Sequence, residues 1–314
     1  VFMLIKNELG KIFGKKASWI YMLIIVIAVV LGGILEDRIG GEPNKNWREE
    51  TQASVNKLQQ DLEAAPEEEK EWMAAELKRQ QGYLDENINP NAKSNWHFMN
   101  MTVSGVTMLV TLFAVIVSSA SVSSEFSDGT IKQLLIRPHE RWFILLSKYL
   151  SVIIYSLLLL IVLIFAGFVT GSILFDSVDF NTKFFEYTLE GQRVAELGPQ
   201  FFLKNVYYLP SLLILITISF MLSTLFKSQA LAVGIGIFVL FLSSTLGGLI
   251  VVLAEKYTWA KFLIFPHLDL TVYALQDNIL GDVTLPISLL TLGVYYIIFI
   301  ALTFTIFQKR DVSI

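Results

Sequence analysis

Six stretches of the chain run without Asp, Glu, Lys or Arg, at 17–35, 94–124, 149–175, 205–226, 228–254 and 283–308. A bilayer core about 30 Å thick needs roughly 20 apolar residues of helix, so each stretch is long enough to cross it. None alternates with a period of two, as a membrane strand must, and a backbone in lipid then satisfies its polar groups only as helix. The pattern predicts an all-α membrane protein with six transmembrane helices. In the second stretch Trp96 and His97 have interfacial character, which places that span at 100–124. Gly167 and Gly171 in the third, and Gly234, Gly236, Gly247 and Gly248 in the fifth, read as positions where helix backbones approach closely.

The segments between the spans have patterns of their own. At the N-terminus, residues 1–16 alternate Leu4, Ile5, Leu9, Ile12 and Phe13 with Lys6, Lys11, Lys15 and Lys16, a basic amphipathic helix suited to the interface before a turn at Gly14. In 36–99, Val55, Leu58 and Leu62 form one helical stripe. Trp72, Met73, Leu77, Gln80 and Leu84 form a second after Pro66, where three glutamates suit a helix start. A helical hairpin follows, with a mobile solvated spacer as the alternative. Segment 176–204 is mixed in charge, with room for a short helix. Segment 255–282 is too apolar for a free loop and too short to cross twice. Trp259, Phe262, Phe265, Pro266 and His267 are its candidate lid or gate residues, in a re-entrant piece, a lid on the helix ends or an aromatic belt.

Charge sets the orientation. With the N-terminus inside, the inner segments hold eleven basic residues against five acids, +6 inside against −10 outside within a formal net charge of −4. The short turn Lys227-Ser228-Gln229 keeps the ends of two spans on one face. The expected topology is N-in/C-in, with 36–99, 176–204 and 255–282 extracytoplasmic and 125–148 and 309–314 cytoplasmic. Composition agrees: 54% of residues are hydrophobic and 17% charged, and the charges are bunched rather than scattered over a surface. Without cysteine there are no disulfides or thiolate metal sites. The first apolar run precedes Glu36 and Asp37 with no small-residue cleavage site, and reads as a retained span.

The cytoplasmic segment 125–148 crowds Glu125, Asp128, Lys132, Arg137, His139, Glu140 and Arg141 into a short, partly apolar stretch. Gly129 and Thr130 allow a sharp break, and Thr130 suits the cap of a short helix from Ile131 with Leu134 and Leu135 on its apolar face. Pro138 ends that helix, and Trp142 with Lys148 anchors the next span. The shape is a compact knob for a cytoplasmic partner; composition alone also fits an ordinary positive-inside loop.

Glu125-x-x-x-Gly129-Thr130, then Leu134-Leu135, Pro138, Arg141 and Lys148, resembles the signature of the type-2 export permeases of ABC transporters. The likeness extends to the N-terminal helix, the six spans and the outer segment between the last two. The large domain between the first two spans resembles that of bacterial peptide-antibiotic and multidrug permeases. The resemblance implies a permease subunit in the bacterial plasma membrane, forming half of an export pathway with a second, like or related, permease copy. It implies a coupling segment of Glu125, Gly129, Thr130, Ile131, Leu134, Leu135, Pro138 and Arg141 seated on a separate cytoplasmic ATPase, which carries ATP and Mg. No cofactor is implied on this chain, which lacks the G-x-x-x-x-G-K-[ST] phosphate loop. Its partners would be that ATPase, the second permease and membrane lipid, without nucleic acid. The cargo would be a peptide antibiotic, a drug or a lipid-like molecule, none of it indicated by a motif here.

Other classes compete. An intramembrane enzyme needs a constellation that is missing: there is no H-E-x-x-H, and the serines at 118, 119, 121, 123 and 124 have no visible base and read as helix-to-helix bonds. No catalytic or metal residue is assigned. His267 reads as structural. An ion-coupled transporter would carry charges within its spans. A membrane sensor or assembly protein with an outer domain needs only what is present, and is the alternative.

Overall fold

The computed structural model describes residues 2–39, 46–130, 140–188 and 191–309. Its helices are α1 (Phe2–Gly14), α2 (Lys16–Ile39), α3 (Trp47–Ala64), α4 (Glu67–Asp85), α5 (Asn95–Phe98), α6 (Ser104–Ser127), α7 (Arg141–Leu174), α8 (Leu197–Leu225), α9 (Gln229–Lys256) and α10 (Leu285–Lys309). A π-helical turn, Met99–Val103, joins α5 to α6. Five helical segments are long and apolar enough to cross a membrane. The sixth, α9, qualifies as one span bent by 44° between Ser243 and Thr245. Its serine pair, with Gly247-Gly248 beyond, is the composition at which helices kink. The chain is an all-α membrane protein of multiple passes.

Helices α6, α7 and α8 pack together at the centre. Their shared core includes Val110, Phe113, Leu145, Tyr155, Leu159, Leu163, Leu212 and Phe220, each nearly or fully buried. Helix α2 packs on α6 and α7, and α9 on α6 and α8. Outward, α2, α9 and α10 bear large exposed apolar side chains such as Leu23, Leu31, Phe238, Leu249, Leu290 and Ile297. That surface suits lipid, which needs no polar covering.

Small residues let the central helices close up. A Cβ on Gly167 would lie 2.7 Å from Val103 Cγ2, and one on Gly236 would lie 2.4 Å from Ser119 Oγ, so α7 and α9 meet the second span where a larger residue clashes. Gly234 and Gly248 have open space instead, so the expected packing role does not extend to them. Ser118 donates to the Ile216 carbonyl at 2.8 Å across helices, whereas Ser123 donates back to Ser119 O in its own helix. Ser223 Oγ accepts the backbone N–H groups of Val122 and Ser123.

Helices α3 and α4 form a hairpin turned at Ala65 and Pro66. Val55 is buried in it and Leu58, Leu62, Met73, Leu77, Gln80 and Leu84 are half-buried, as the stripes predicted; Trp72 is 66% exposed. Segment 176–204 differs from the short helix expected: it makes an antiparallel hairpin of β1 (Lys183–Thr188) and β2 (Gly191–Glu196). Phe184, Phe185 and Tyr187 favour a strand. The β-hairpin carries the helical one, since Tyr83 and Tyr187 share a 2.8 Å hydroxyl bond and Tyr83 meets Phe185 edge-on.

Segment 255–282 folds into three single turns, Thr258–Phe262, Phe265–Leu268 and Leu270–Ala274, then a minimal hairpin of β3 (Asn278–Ile279) and β4 (Val283–Thr284). It packs on α8, α9 and α10 and reaches Ser211, near the middle of α8, whose hydroxyl faces the Leu270 N–H at 3.4 Å. Its bonded polar groups and buried Ala260, Leu268, Leu270 and Ala274 make it part of the bundle.

Candidate functional site

The apolar face of α1 packs on α7 through Leu4, Ile5, Leu9, Ile12 and Phe13, all half-buried, with Glu8 in the middle of that face. Residues four apart on a helix share a face, so Glu8 lies level with Leu4 and Ile12 and enters the protein with them. The chain turns at Lys15 because Ser18 donates to the Ile12 carbonyl at 2.6 Å and the Trp19 indole to the Phe13 carbonyl at 2.8 Å, covering acceptors that α1 leaves open. Tyr155 of α7 then donates to Ser18 O at 2.8 Å.

Glu8 meets the motif residue Lys148 and, through it, Glu125. Lys148, 2% exposed, donates to Glu125 Oε1 at 2.5 Å and to Glu8 Oε2 at 2.7 Å. Lys11 donates to Glu8 Oε1 at 2.7 Å and to Glu125 Oε1 at 3.0 Å. Two carboxylates and two ammonium groups therefore cancel in charge where α1, α6 and α7 converge. Burial pushes the Glu8 carboxyl up, but Lys148 and Lys11 outweigh it and hold the group below its ordinary range. Burial would lower Lys11, and Glu8 and Glu125 raise it instead. Such a cluster is held by geometry, because removing one partner strands a charge away from water.

The rest of the predicted coupling segment surrounds this cluster. Asp128 N–H bonds to Ser124 O at 2.8 Å as α6 ends, and Gly129 follows at φ +71°, the left-handed conformation that closes many helices and that side chains resist. The Thr130 hydroxyl reaches the Glu125 carbonyl at 3.5 Å, and the helix it was expected to cap lies outside the described residues. Ile131, Leu134, Leu135 and Pro138 lie outside the described residues. Arg141 opens α7 and reaches the Gln308 carbonyl at the end of α10, at 3.5 Å. Thus Glu125 and Lys148, 23 positions apart, touch, and an ion pair ties the last turn of α6 to the second turn of α7.

The predicted outer gate residues divide by exposure. Trp259 and Phe262 are 59% exposed, while Phe265 and Pro266 are half-buried. His267 is fully buried, with Nδ1 2.7 Å from Ser288 Oγ and Nε2 2.8 Å from the Lys261 carbonyl. The carbonyl requires an N–H on Nε2, so Nδ1 accepts from Ser288. Tyr273 OH lies 2.6 Å from the same serine oxygen. Burial pulls His267 below its ordinary range, with the Lys261 carbonyl opposing. On the same face, Glu186 pairs with Lys204 and Gln200, and Gln200 also donates to Ala274 O at 2.8 Å, joining β1, α8 and the lid segment. Among the described residues no three His, Asp or Glu side chains form a group fit for a metal ion.

Sequence reasoning named Glu125 and Lys148 but not their partners. The signal for Glu8 was present, an acid within an apolar stripe, which is costly unless answered by a buried base. Nothing comparable marked Ser288 or Tyr273 as partners of His267.

Residues 72–313 match a family model described as a protein of unknown function (DUF2705). The chain belongs to that family. It is 32% identical over 314 residues to the uncharacterized protein YhcI of Bacillus subtilis (strain 168), covering 99% of each chain. It is also 30% identical over 211 residues to the uncharacterized membrane protein YdbK of the same organism, covering 67% of this chain and 80% of that one. The DUF2705 match begins within α4 and takes in α5 to α10 and both ends of segment 125–148, leaving α1, α2 and α3 outside it.

Proposed function

We propose that this chain is the membrane-spanning permease subunit of an ATP-driven exporter, lying N-in/C-in in the bacterial plasma membrane and coupled to a separate ATPase subunit. The observation that carries this reading is the ion pair that joins the two ends of segment 125–148. Lys148 holds Glu125 and Glu8 together, so a push on the loop displaces α6, α7 and α1 as one body. The motif on that loop resembles the coupling segment of type-2 ABC export permeases. In this orientation α1 lies in the inner interface, Lys6, Lys15 and Lys16 facing headgroups and its apolar face turned to α7.

Force delivered by the ATPase as it closes on ATP and Mg would swing this bundle against a second permease copy, alternating access by rigid-body motion. The chain itself contributes no phosphate-binding loop, and its part is mechanical: it receives the displacement, transmits it through the ion cluster and lines half of the route. The lid segment and the α3–α4 domain would stand at the outer mouth, where cargo, a peptide antibiotic, a drug or a lipid-like molecule, departs.

Replacing Gly129 with Val, or Arg141 with Ala, is expected to uncouple ATP hydrolysis from transport in membranes holding both subunits, while the bundle stays folded. Gly129 is exposed with no neighbour within 4 Å of a built Cβ, so Val there strains the backbone without crowding the described core. Wild-type coupling in both variants would count against the assigned contact.

A further inference from the structure

Between Phe2 and Leu35 the chain carries four lysines and a single acid, Glu8. That acid is turned into the protein, where Lys11 and Lys148 hold it, and Lys11 is shared with Glu125. The charge left outside at the α1–α2 turn is therefore positive. Lys15 and Lys16 are both exposed, and neither forms an ion pair among the described residues. Asp128 lines a cavity with Lys15 but makes no ion pair with it.

An apolar track leads away from these lysines. Residues three and four apart share a helix face, so Lys16, Ile20, Leu23 and Ile27 stand in line along α2. The three apolar members of that line are exposed. The opposite side of α2 holds its protein contacts, with Ile25, Val29 and Gly33 buried. From Lys16 to Ile27 the helix rises about 16 Å, close to the depth of one leaflet of a bilayer core. Trp19 is exposed beside Lys16, and its indole bond to the Phe13 carbonyl fixes the ring at the turn. Two cationic groups thus stand at the head of a lipid-facing track, with an aromatic ring at the depth of the headgroups.

We infer that Lys15 and Lys16 hold the phosphate of one anionic phospholipid, whose acyl chain lies along Ile20, Leu23 and Ile27. A zwitterionic headgroup brings its own ammonium, which two lysines repel, so net negative charge is what the turn selects. The apolar stripe of α1 is spent on α7, so the turn meets the bilayer surface chiefly through charge. The inference rests on α2 crossing the membrane, and neither on transport nor on which leaflet the turn faces.

The test is retention of added lipid by the purified full-length chain in detergent, counted per chain by native mass spectrometry. Phosphatidylglycerol, phosphatidylethanolamine and phosphatidylcholine are compared at equal concentration. One phosphatidylglycerol per chain is expected, held on the order of tenfold more tightly than phosphatidylcholine, as two lysines near a headgroup allow. Lys15→Gln with Lys16→Gln should remove most of that preference, whereas Lys15→Arg with Lys16→Arg should keep it. Lys57→Gln with Lys78→Gln, the same loss of charge at exposed positions of α3 and α4, should leave it unchanged. If the paired Gln variant fails to fold, Lys16→Gln alone decides, with a loss of about threefold expected. Equal retention of the three lipids, a preference that survives loss of the lysines in a folded chain, or an equal fall in the α3–α4 variant would overturn the proposal.

Discussion

Lys148 is the residue on which the inner end of the bundle turns, because it alone among the described side chains joins Glu8 to Glu125 with both contacts buried. Lys148→Met leaves two carboxylates with only the half-exposed Lys11 between them and is expected to cost up to about 3–5 kcal/mol of stability, read as a fall in the unfolding midpoint in detergent. Adding Glu8→Gln should recover part of the loss by removing one stranded charge. A Lys148→Met chain as stable as wild type would mean the cluster carries no structural load. The pH response follows from the two resolved shifts. Glu8 is depressed, so its contribution is present above its ordinary value of 4.5 and fades as pH falls through its lower folded value. Lys11 is raised, so its contribution is full below 10.5 and fades as pH rises through its higher folded value. Between those limits the contributions of Glu8 and Lys11 should be constant. At this scale the sequence was half legible: Glu125 and Lys148 stood out by motif, whereas Glu8 was passed over because amphipathic helices are read by their apolar positions.

The elements tell a similar story of pattern against partner. Spans, the α3–α4 hairpin and the break at Gly129 were legible because each rests on local rules of length, stripe or backbone conformation. The β1–β2 hairpin was not, since Phe185 and Tyr187 find their purpose against Tyr83, and Phe184 against His97, each about ninety or a hundred residues earlier. In the lid segment, aromatic content alone left lid and belt equal. What ties the segment to the bundle is buried His267, bonded to Ser288 at the start of α10, a pairing 21 positions apart with no sequence signature. Its depressed basicity makes a prediction for this element. The neutral ring is the form that fits, so the lid's stability is complete above the ordinary histidine value of 6.5 and is lost as pH falls below it. Protection from hydrogen exchange in 258–274, corrected for the intrinsic rate at each pH, is expected to fall as pH drops below 6.5, and His267→Gln should flatten that dependence. Protection that stays constant below that pH in the wild-type chain would show that the imidazole does not hold this segment.

For the whole molecule, six apolar stretches foretold a membrane bundle, yet the helices overrun them: α7 starts at Arg141 and α8 at Leu197, each eight residues before its charge-free stretch. Length in lipid limits apolar runs, while a helix continues wherever its backbone bonds are made. Orientation rests on charge alone and is open to direct trial, since the chain has no cysteine of its own. Single cysteines at Gln59 and Ser177 should react with an impermeant maleimide added outside intact cells, and one at Lys227 only after lysis; the reverse pattern would invert the topology. The central claim, that this bundle is driven by an ATPase gripping the 125–148 loop, is tested most directly by affinity purification of the chain from its native membranes in mild detergent. A nucleotide-binding subunit is expected in roughly equal amount, retained by the wild-type chain and lost when residues 129–138 are replaced by a flexible linker. A correctly folded chain that brings down no such subunit, or one that keeps it after that replacement, would show that no ATPase drives the bundle through this segment.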